Sequence, residues 1–172
     1  PAGHEPRLVV GGLLQTQLEA GDAGDSRFSS NRARIYLRRA RVNLSGHFLE
    51  GYDFRLEMEL AGTLAETSAL RGQLTDAYVA WTRHPAFTIR GGQFKTPFGF
   101  EQMYADPKLF TIERSLPADR LTPGRQVGAM FQGRSGMNRV NYFLGLFNGA
   151  GPNTSANDNR DFLYVGRVAG DP

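Results

Sequence analysis

The chain of 172 residues contains no cysteine and no hydrophobic run long enough to cross a membrane as a helix. The absence of cysteine excludes disulfides, thiol catalysis and cysteine-ligated metal sites. The longest stretch without a polar side chain runs from Leu8 to Leu14, whereas a spanning helix needs about 20 apolar residues. A spanning β-strand needs only about 9 to 11 residues, of which half are apolar. The mean hydropathy of −0.40 is therefore compatible with a membrane protein built from strands.

A strong excess of one charge is also missing, because 20 Lys and Arg face 17 Asp and Glu, for a net charge of +3. The basic residues form no compact run, so charge does not favour nucleic-acid binding. His4, His47 and His84 lack metal-ligand spacing, and we expect neither a metal nor a cofactor. Glu57 and Glu59 share a face like an acid–base pair. They belong to an alternating charged stripe, however, so we expect wall residues and not an enzyme.

Apolar and polar residues alternate along most of the chain, which is the pattern of strands with two different faces. The clearest case runs from 52 to 60. Its apolar positions are Tyr52, Phe54, Leu56, Met58 and Leu60, and its charged positions are Asp53, Arg55, Glu57 and Glu59. The segment 40–48 alternates likewise. Residues 49–51 join the two as a hairpin loop in which Gly51 suits a positive φ.

The pattern predicts about eight strands, with ends uncertain by a few residues. They lie near 7–18, 37–48, 52–61, 72–83, 86–95, 124–134, 139–148 and 161–170. Short connections at 49–51, 84–85 and 135–138 alternate with long ones at 19–36, 62–71, 96–123 and 149–160. This alternation is typical of an all-β, antiparallel up-and-down transmembrane barrel, with short turns at one membrane surface and long loops at the other.

Aromatic residues occur at both ends of these strands, as expected for the two girdles of a membrane barrel. Beside the short turns lie Phe48, Tyr52, Trp81, Phe87, Phe131 and Tyr142. At the long-loop ends lie Phe94, Phe147, Phe162 and Tyr164. Aromatic residues also favour strands of any kind, so the pattern supports the barrel without requiring it.

Several short fragments carry a family resemblance that spans nearly the whole chain. They are LRRARV at 37–42 followed by Gly46, DAYV at 76–79, GQFKTPFG at 92–99, FTIERSL at 110–116, PGRQVG at 123–128 and GLFNG at 145–149. In this order and spacing they resemble the phosphate-selective porin O and porin P family of Gram-negative outer membranes.

The resemblance implies a homotrimeric channel of about 16 strands in the outer-membrane lipid bilayer, whose third extracellular loop folds inward. It implies passive diffusion of small anions, with phosphate or pyrophosphate as the solute to test. Residues 1–172 would then be the N-terminal part of one barrel domain, truncated about halfway round. By strand count, 96–123 is the third long loop and the expected constriction. Alone, the segment should form a curved open sheet.

The inward face that alternation predicts carries the positive charge that an anion channel needs. Its basic residues are Arg39, Arg41, Arg55, Arg90 and Arg167, with Lys95 at a strand end. If the strands pair around the turn at 49–51, Arg41 lies opposite Glu59, and it is as readily structural as anion-binding. Arg39 faces Ala61 without such a partner, which makes it the better anion candidate.

The loop 96–123 and its exit balance basic against acidic residues. The basic ones are Lys108, Arg114, Arg120 and Arg125, and the acidic ones are Glu101, Asp106, Glu113 and Asp119. The balance predicts an electric field across the pore, with acidic and basic residues on opposite sides, and not a site that is strongly selective for anions. The loop's apolar residues need a packing surface, which inward-facing Tyr78, Ala80, Met130 and Phe143 offer. We therefore expect an inward-folded loop that brings together Arg39, Lys95, Arg114, Arg120 and Arg125.

The alternative is a soluble β-sandwich that binds a ligand with its long loops. Its apolar faces would pack on each other in two layers and not on lipid. A chain that stays monomeric in water without detergent would favour the sandwich over an open half-barrel.

Overall fold

The computed structural model describes residues 6–19, 34–61, 72–104, 109, 111, 114–135, 139–154, 156–157 and 159–170. The strands are β1 Arg7–Glu19, β2 Arg34–Phe48, β3 Tyr52–Glu59, β4 Gln73–Trp81, β5 Phe87–Lys95, β6 Arg125–Ser135, β7 Val140–Phe147 and β8 Leu163–Gly170. Two short helices, α1 Phe100–Met103 and α2 Leu116–Leu121, lie between β5 and β6. Within these described ranges, no helix has the length and apolar character needed to cross a membrane.

Each strand pairs antiparallel with its neighbours in chain order, and together they form one eight-stranded sheet. The predicted all-β meander is therefore confirmed, with strand ends within a few residues of those expected. The sheet is open, because β1 and β8 are its two edges. The two-layered sandwich is wrong for the described strands, because they lie in a single sheet.

The turn at 49–51 sets the register of the first hairpin as predicted. Phe48 pairs with Tyr52, and Arg41 pairs with Glu59. Gly51 has a φ of 84°, and a Cβ there would lie 2.6 Å from the Cβ of Arg83 in the next short turn. Glycine is therefore required both for the backbone angle and for the close approach of two turns. A register slip by one residue would exchange the faces of the whole strand.

The sheet has two chemically different faces. Residues of the inner face, such as Arg41, Arg55, Tyr78 and Arg90, line a common cavity. The opposite, outer face exposes large apolar side chains, among them Leu14, Val42, Leu56, Val79, Leu144, Tyr164 and Val168. Such an extended apolar surface is unfavourable in water and suits contact with hydrocarbon.

A row of contacting aromatic rings crosses the short-turn end of the sheet, as predicted. The centroids of Phe87 and Phe131 are 5.1 Å apart, and Phe131 continues to Tyr142 at 5.8 Å. Trp81 lies 5.6 Å from Phe87 on the other side. Phe48 and Tyr52 form a further pair at 5.8 Å. Offset and tilted contacts at these distances are favourable beyond the area that they bury.

The predicted ring of aromatics at the long-loop end is wrong for Phe94 and Phe147. Both are buried and form the core with Met130 and Val165 on the inner face. Phe147 fits there because Gly128 beside it has no side chain; a Cβ would lie 2.6 Å from the Phe147 ring. Other long-loop aromatics are exposed, as expected: Phe162 and Tyr164.

Candidate functional site

The inner face encloses a cavity of about 450 Å³ that draws residues from strands β1 to β6 and from α1. Its charged lining residues are Arg41, Arg55, Glu57, Asp76, Arg90, Lys95 and Arg125. Its apolar lining residues are Leu13, Tyr78, Phe94, Met103 and Met130. Arg41, Arg55, Lys95 and Arg125 were predicted as pore-lining residues, and the structure brings these four together.

Glu57 lies at the centre of a charge network on the cavity wall. The residue is only 5% exposed, and its carboxylate lies 2.5 Å from Arg55, 3.6 Å from Arg125 and 3.9 Å from Arg41. The Thr75 hydroxyl donates to it at 3.0 Å. A buried carboxylate is tolerable only with such partners, because desolvation of an unpaired charge is costly.

Two further carboxylates complete this network, which we call the Glu57 network. Arg41 donates through Nε to Glu59 at 2.6 Å, as the predicted register required. Asp76 accepts from Arg125 at 2.7 Å and lies 3.6 Å from Arg55. The network therefore balances three guanidinium groups with three carboxylates. Its net contribution to the local field is small.

Asp76 was missed as a site residue, although the sequence contained a signal for it. It precedes inward-facing Tyr78 by two positions, so alternation places it on the same face. Asp76 on β4 pairs with Glu57 on β3, and this pairing places it beside the Glu57 carboxylate network. This pair ends a regular run that begins at Tyr52 and Trp81, and the register shifts only beyond it, between Glu57 and Met58. The residue pattern did not reveal this register.

Lys95 and Arg114 are both directed at the end of α1. Lys95 donates to the carbonyl oxygens of Gln102 and Tyr104, each at 3.1 Å. Arg114 donates to the same Tyr104 carbonyl at 3.0 Å. Cations at the C-terminal carbonyls of a helix are stabilised by the unpaired acceptors there. The two basic residues thus share the carbonyl oxygen of Tyr104.

Glu101 joins the two helices of this segment. Its carboxylate accepts from the Ser115 amide at 2.8 Å and from the Ser115 hydroxyl at 2.5 Å. The hydroxyl hydrogen bond, then the amide hydrogen bond and the charge of Arg114 lower the pKa of Glu101 below its ordinary value, against an opposing effect of desolvation. Ser115 is also the N-cap of α2.

Two predicted site residues lie elsewhere. Arg39 was expected to be the more available arginine because it faces Ala61, and this is wrong. It is only 5% exposed and donates to Gln15 of β1 at 2.6 Å. Alternation gave its face correctly but could not reveal the partner on the preceding strand. Arg120 is exposed on α2 and is not among the residues that line the cavity.

Arg90 stands on the cavity wall outside the Glu57 network. Its guanidinium carbon lies 4.3 Å from the centre of the Tyr78 ring and 5.3 Å from that of Phe94. Such cation–π contacts are favourable. Alternation placed Arg90 on the inner face, but its environment depends on the ring of Tyr78 from β4 and on that of Phe94 further along β5.

Segments that follow β5 and β7 contact the inner side and rim of the sheet. The carbonyl of Gly99 accepts from Arg167 of β8 at 3.4 Å, and Met103 lines the cavity. Beyond β7, Asn153 donates its amide hydrogen to the buried side chain of Gln93 at 2.6 Å, and Gly151 donates to that of Gln126 at 2.8 Å. These contacts tie both connections to the sheet.

The described residues contain no group of three or more histidine, aspartate or glutamate side chains that could hold a metal ion. The cavity instead offers guanidinium and ammonium donors together with apolar surface. Guanidinium groups recognise oxyanions through paired hydrogen bonds. The wall therefore presents donor groups for anions beside the carboxylates of Glu57 and Asp76.

Comparisons with known proteins agree with this wall chemistry. A search of the curated proteins gave no match. The family model described as phosphate-selective porin O and P matches residues 10–170. This is a family of channels rather than of enzymes, and its members are porins of the Gram-negative outer membrane. Because the match covers nearly the whole chain and the structure supplies the antiparallel strands, the chain belongs to the phosphate-selective porin O and P family.

Proposed function

We propose that this protein forms a water-filled channel for the passive diffusion of small anions. The observation that carries the proposal is the contrast between the two faces of the sheet. The outer face exposes apolar side chains such as Leu56 and Leu144, whereas the inner face holds a cavity lined by five basic residues: Arg41, Arg55, Arg90, Lys95 and Arg125. Charged side chains that line a pore select ions in channels.

The loop 96–123 is proposed to fold inward and narrow the pore. Two contacts support this: Arg167 donates to the Gly99 carbonyl, and Met103 lines the cavity. Phe94 and Met130 supply an apolar patch on the inner face near it. In a water-filled lumen such a patch is unfavourable unless something covers it. An inward loop would place Lys95 and Arg114 beside the path of the solute.

Phosphate and pyrophosphate are the proposed solutes, with a modest preference over cations. Arginine suits them because its planar fork can donate two hydrogen bonds to one oxyanion. The preference is modest because the Glu57 network pairs its arginines with carboxylates. Long-range attraction would raise the local anion concentration, and salt would screen it over about 10 Å at 0.1 M.

A complete barrel of about 16 strands and a homotrimer are part of the same proposal. The edges β1 and β8 each lack a second neighbour in the described sheet. Lipid cannot satisfy unpaired backbone groups, and we therefore propose that further strands cover these edges. We assign the protein no catalytic role, cofactor or nucleic-acid partner.

The test is a planar-bilayer recording of the full-length protein under a salt gradient. We expect conductance steps and a reversal potential that indicates anion preference. Arg114→Ala and Arg120→Ala should each reduce that preference, because both remove positive charge from the loop. Absence of conductance steps would refute the channel. A cation-selective channel, or selectivity unchanged in both variants, would refute the role of the loop arginines and leave the channel intact.

A further inference from the structure

Two buried glutamines connect the segment 149–154, which follows β7, to strands β5 and β6. Gln93 on β5 and Gln126 on β6 are each 4% exposed. The backbone amide of Asn153 donates to the side-chain oxygen of Gln93 at 2.6 Å, and that of Gly151 donates to the side-chain oxygen of Gln126 at 2.8 Å. Buried side-chain amides are normally hydrogen bonded, and both of these use the segment 149–154 as a partner. The segment is therefore held to the sheet at two points.

The side-chain nitrogens of the same two glutamines bind other parts of the chain. Gln126 donates to the carbonyl oxygen of Pro123 at 2.9 Å. Gln93 donates to the carbonyl oxygens of Leu74 at 2.7 Å and Thr75 at 3.1 Å. Each glutamine thus joins a backbone donor of the segment 149–154 to a backbone acceptor elsewhere. A side-chain amide offers both groups, whereas an ionised glutamate lacks the donor and methionine provides no comparable group.

Pro123 belongs to the exit of the loop 96–123, and the two ends of that loop are closed against each other. The amide and the hydroxyl of fully buried Thr96 donate to the carbonyl oxygen of Gly124, at 2.9 and 3.1 Å. Gly99 has a φ of 75°, and a Cβ there would lie 2.8 Å from the side chain of Thr122. The base of the loop is therefore closely packed, and Gln126 attaches this base to the segment 149–154.

The base of the loop is connected to the cavity through the two short helices. Helix α2 ends at Leu121, two residues before Pro123. The start of α2 is joined to α1 by the hydrogen bonds between Ser115 and Glu101, and Met103 of α1 lines the cavity. A displacement at Pro123 would therefore reach the cavity through contiguous contacts.

We propose that Gln126 is a positioning residue of the channel, which ties the base of the loop 96–123 to the segment 149–154 and thereby fixes how far the loop reaches into the cavity. The inference rests on the proposed channel function and deepens it. The width of the pore then depends on a connection that lies two strands further along the chain. Loss of the tie should let the loop occupy several positions, because a hydrogen bond of this kind contributes only modestly to stability.

A purely structural role for Gln126 gives a different expectation. If its amide served only to satisfy buried backbone groups, its replacement would lower the stability of the protein. The position of the loop and the conductance of the channel would then stay unchanged. Measurements of loop position and of conductance therefore separate the two roles.

The experiment follows the loop with a spin label and the pore by single-channel recording, both on the full-length protein. The 172-residue sequence has no cysteine, so Leu121→Cys introduces one attachment site within it, on α2, where the side chain is 76% exposed. Gln126→Met keeps an unbranched side chain of similar length without the amide, and Gln93→Met releases the second point of attachment. Gln73→Met is the matched control, because Gln73 is exposed at the same end of the sheet.

For Gln126→Met we expect the mobile component of the spin-label spectrum to grow. The time that the channel spends in conductance levels other than the main one should rise about tenfold, as expected from the loss of a buried hydrogen bond. Gln93→Met should give smaller changes of the same kind, because the hydrogen bond between Gln126 and Pro123 remains. The control should behave like the unmodified channel.

An unchanged spin-label spectrum or unchanged conductance levels in Gln126→Met would overturn the inference, even where the protein becomes less stable to denaturant. Should Gln126→Met not fold, the same criterion applies to Gln93→Met. An unmodified channel without conductance steps overturns the proposed function instead. The spin label still decides in that case whether the segment 149–154 positions the loop, so the two failures are distinguishable.

Discussion

At the scale of single residues, the inner wall depends on Glu57 more than on any individual arginine. Its carboxylate contacts Arg41, Arg55 and Arg125 while it is itself 5% exposed. The alternation of the sequence predicted its face and that of Arg55 on the same strand, whereas the register brought Arg41 and Arg125 to it from other strands. Removal of this one group therefore changes both the stability and the charge of the wall.

Glu57→Gln is expected to lower the free energy of unfolding in detergent by about 1 to 3 kcal/mol, because it leaves charged donors without their acceptor. It should also shift the reversal potential towards greater anion preference, since positive charge on the wall is no longer offset. The control is Glu50→Gln, whose side chain is 71% exposed. A reversal potential that moves equally in both variants would contradict the expectation.

At the scale of elements, β5 is shaped by a glycine that its neighbours require. Gly92 has a φ of 131°, and a Cβ there would lie 2.2 Å from the carbonyl oxygen of Ala77 on β4. A Cβ added at the adjacent Gly91 would have no atom within 4 Å. The close approach of β5 to β4 therefore requires glycine at position 92 and not at position 91. This approach lies between Arg90 and Phe94, which both contact Tyr78.

Gly92→Ala should destabilise the protein by about 1 to 3 kcal/mol, because an L residue is strained at this backbone angle. It should also weaken the Arg90 contact with Tyr78. Gly91→Ala is the matched control and should have little effect on stability. The measurement is unfolding by denaturant in detergent, and equal midpoints for the two variants would show that the close approach is unimportant.

The junction of α1 and α2 gives a prediction about pH. The pKa of Glu101 lies below its ordinary value because the Ser115 hydroxyl and amide donate to the carboxylate. A carboxyl with a depressed folded-state pKa stabilises the fold above its ordinary unfolded value, which is about 4.3. The contribution is lost as the pH falls through the lower folded-state pKa.

Ser115→Ala removes the hydroxyl, which is the largest cause of the shift, and should therefore raise the pKa of Glu101 towards its ordinary value. The measurement is an NMR titration of the Glu101 side-chain carboxyl carbon in detergent micelles. Thr154→Ala, which removes a remote exposed hydroxyl, should leave the titration unchanged. An unshifted titration in Ser115→Ala would disprove the assigned cause.

At the scale of the whole molecule, the two faces of the sheet predict opposite responses to an added charge. Leu56→Lys places a charge on the apolar outer face and should cost about 2 to 4 kcal/mol if it lies near the membrane midplane. Asn43→Lys places the same charge on the inner face, opposite Glu57, and should be tolerated. Folding yields into detergent and unfolding free energies measure the difference. Equal costs would mean that the outer face does not meet lipid.

The strands, their antiparallel order and the assignment of their faces could be predicted from the sequence. The reason is local: side chains alternate with period two along a strand, and short turns fix the register of adjacent strands. The pairing of Arg41 with Glu59 followed from counting around one turn and is confirmed. The resemblance of the short fragments to the porin family was equally visible in the sequence, and the family match over residues 10–170 confirms it.

The partners of each inward side chain were decided by the tertiary structure. Arg39 was expected to be available but is buried against Gln15, and Phe147 was expected at the rim but is buried beside Gly128. Arg125 reaches Asp76 across an intervening strand. The sequence by itself determined which face each residue occupies, since that depends on the periodicity of one strand. The register irregularities and glycine approaches that set distances between strands depend on several strands at once. Only the folded sheet therefore determined which charges are paired.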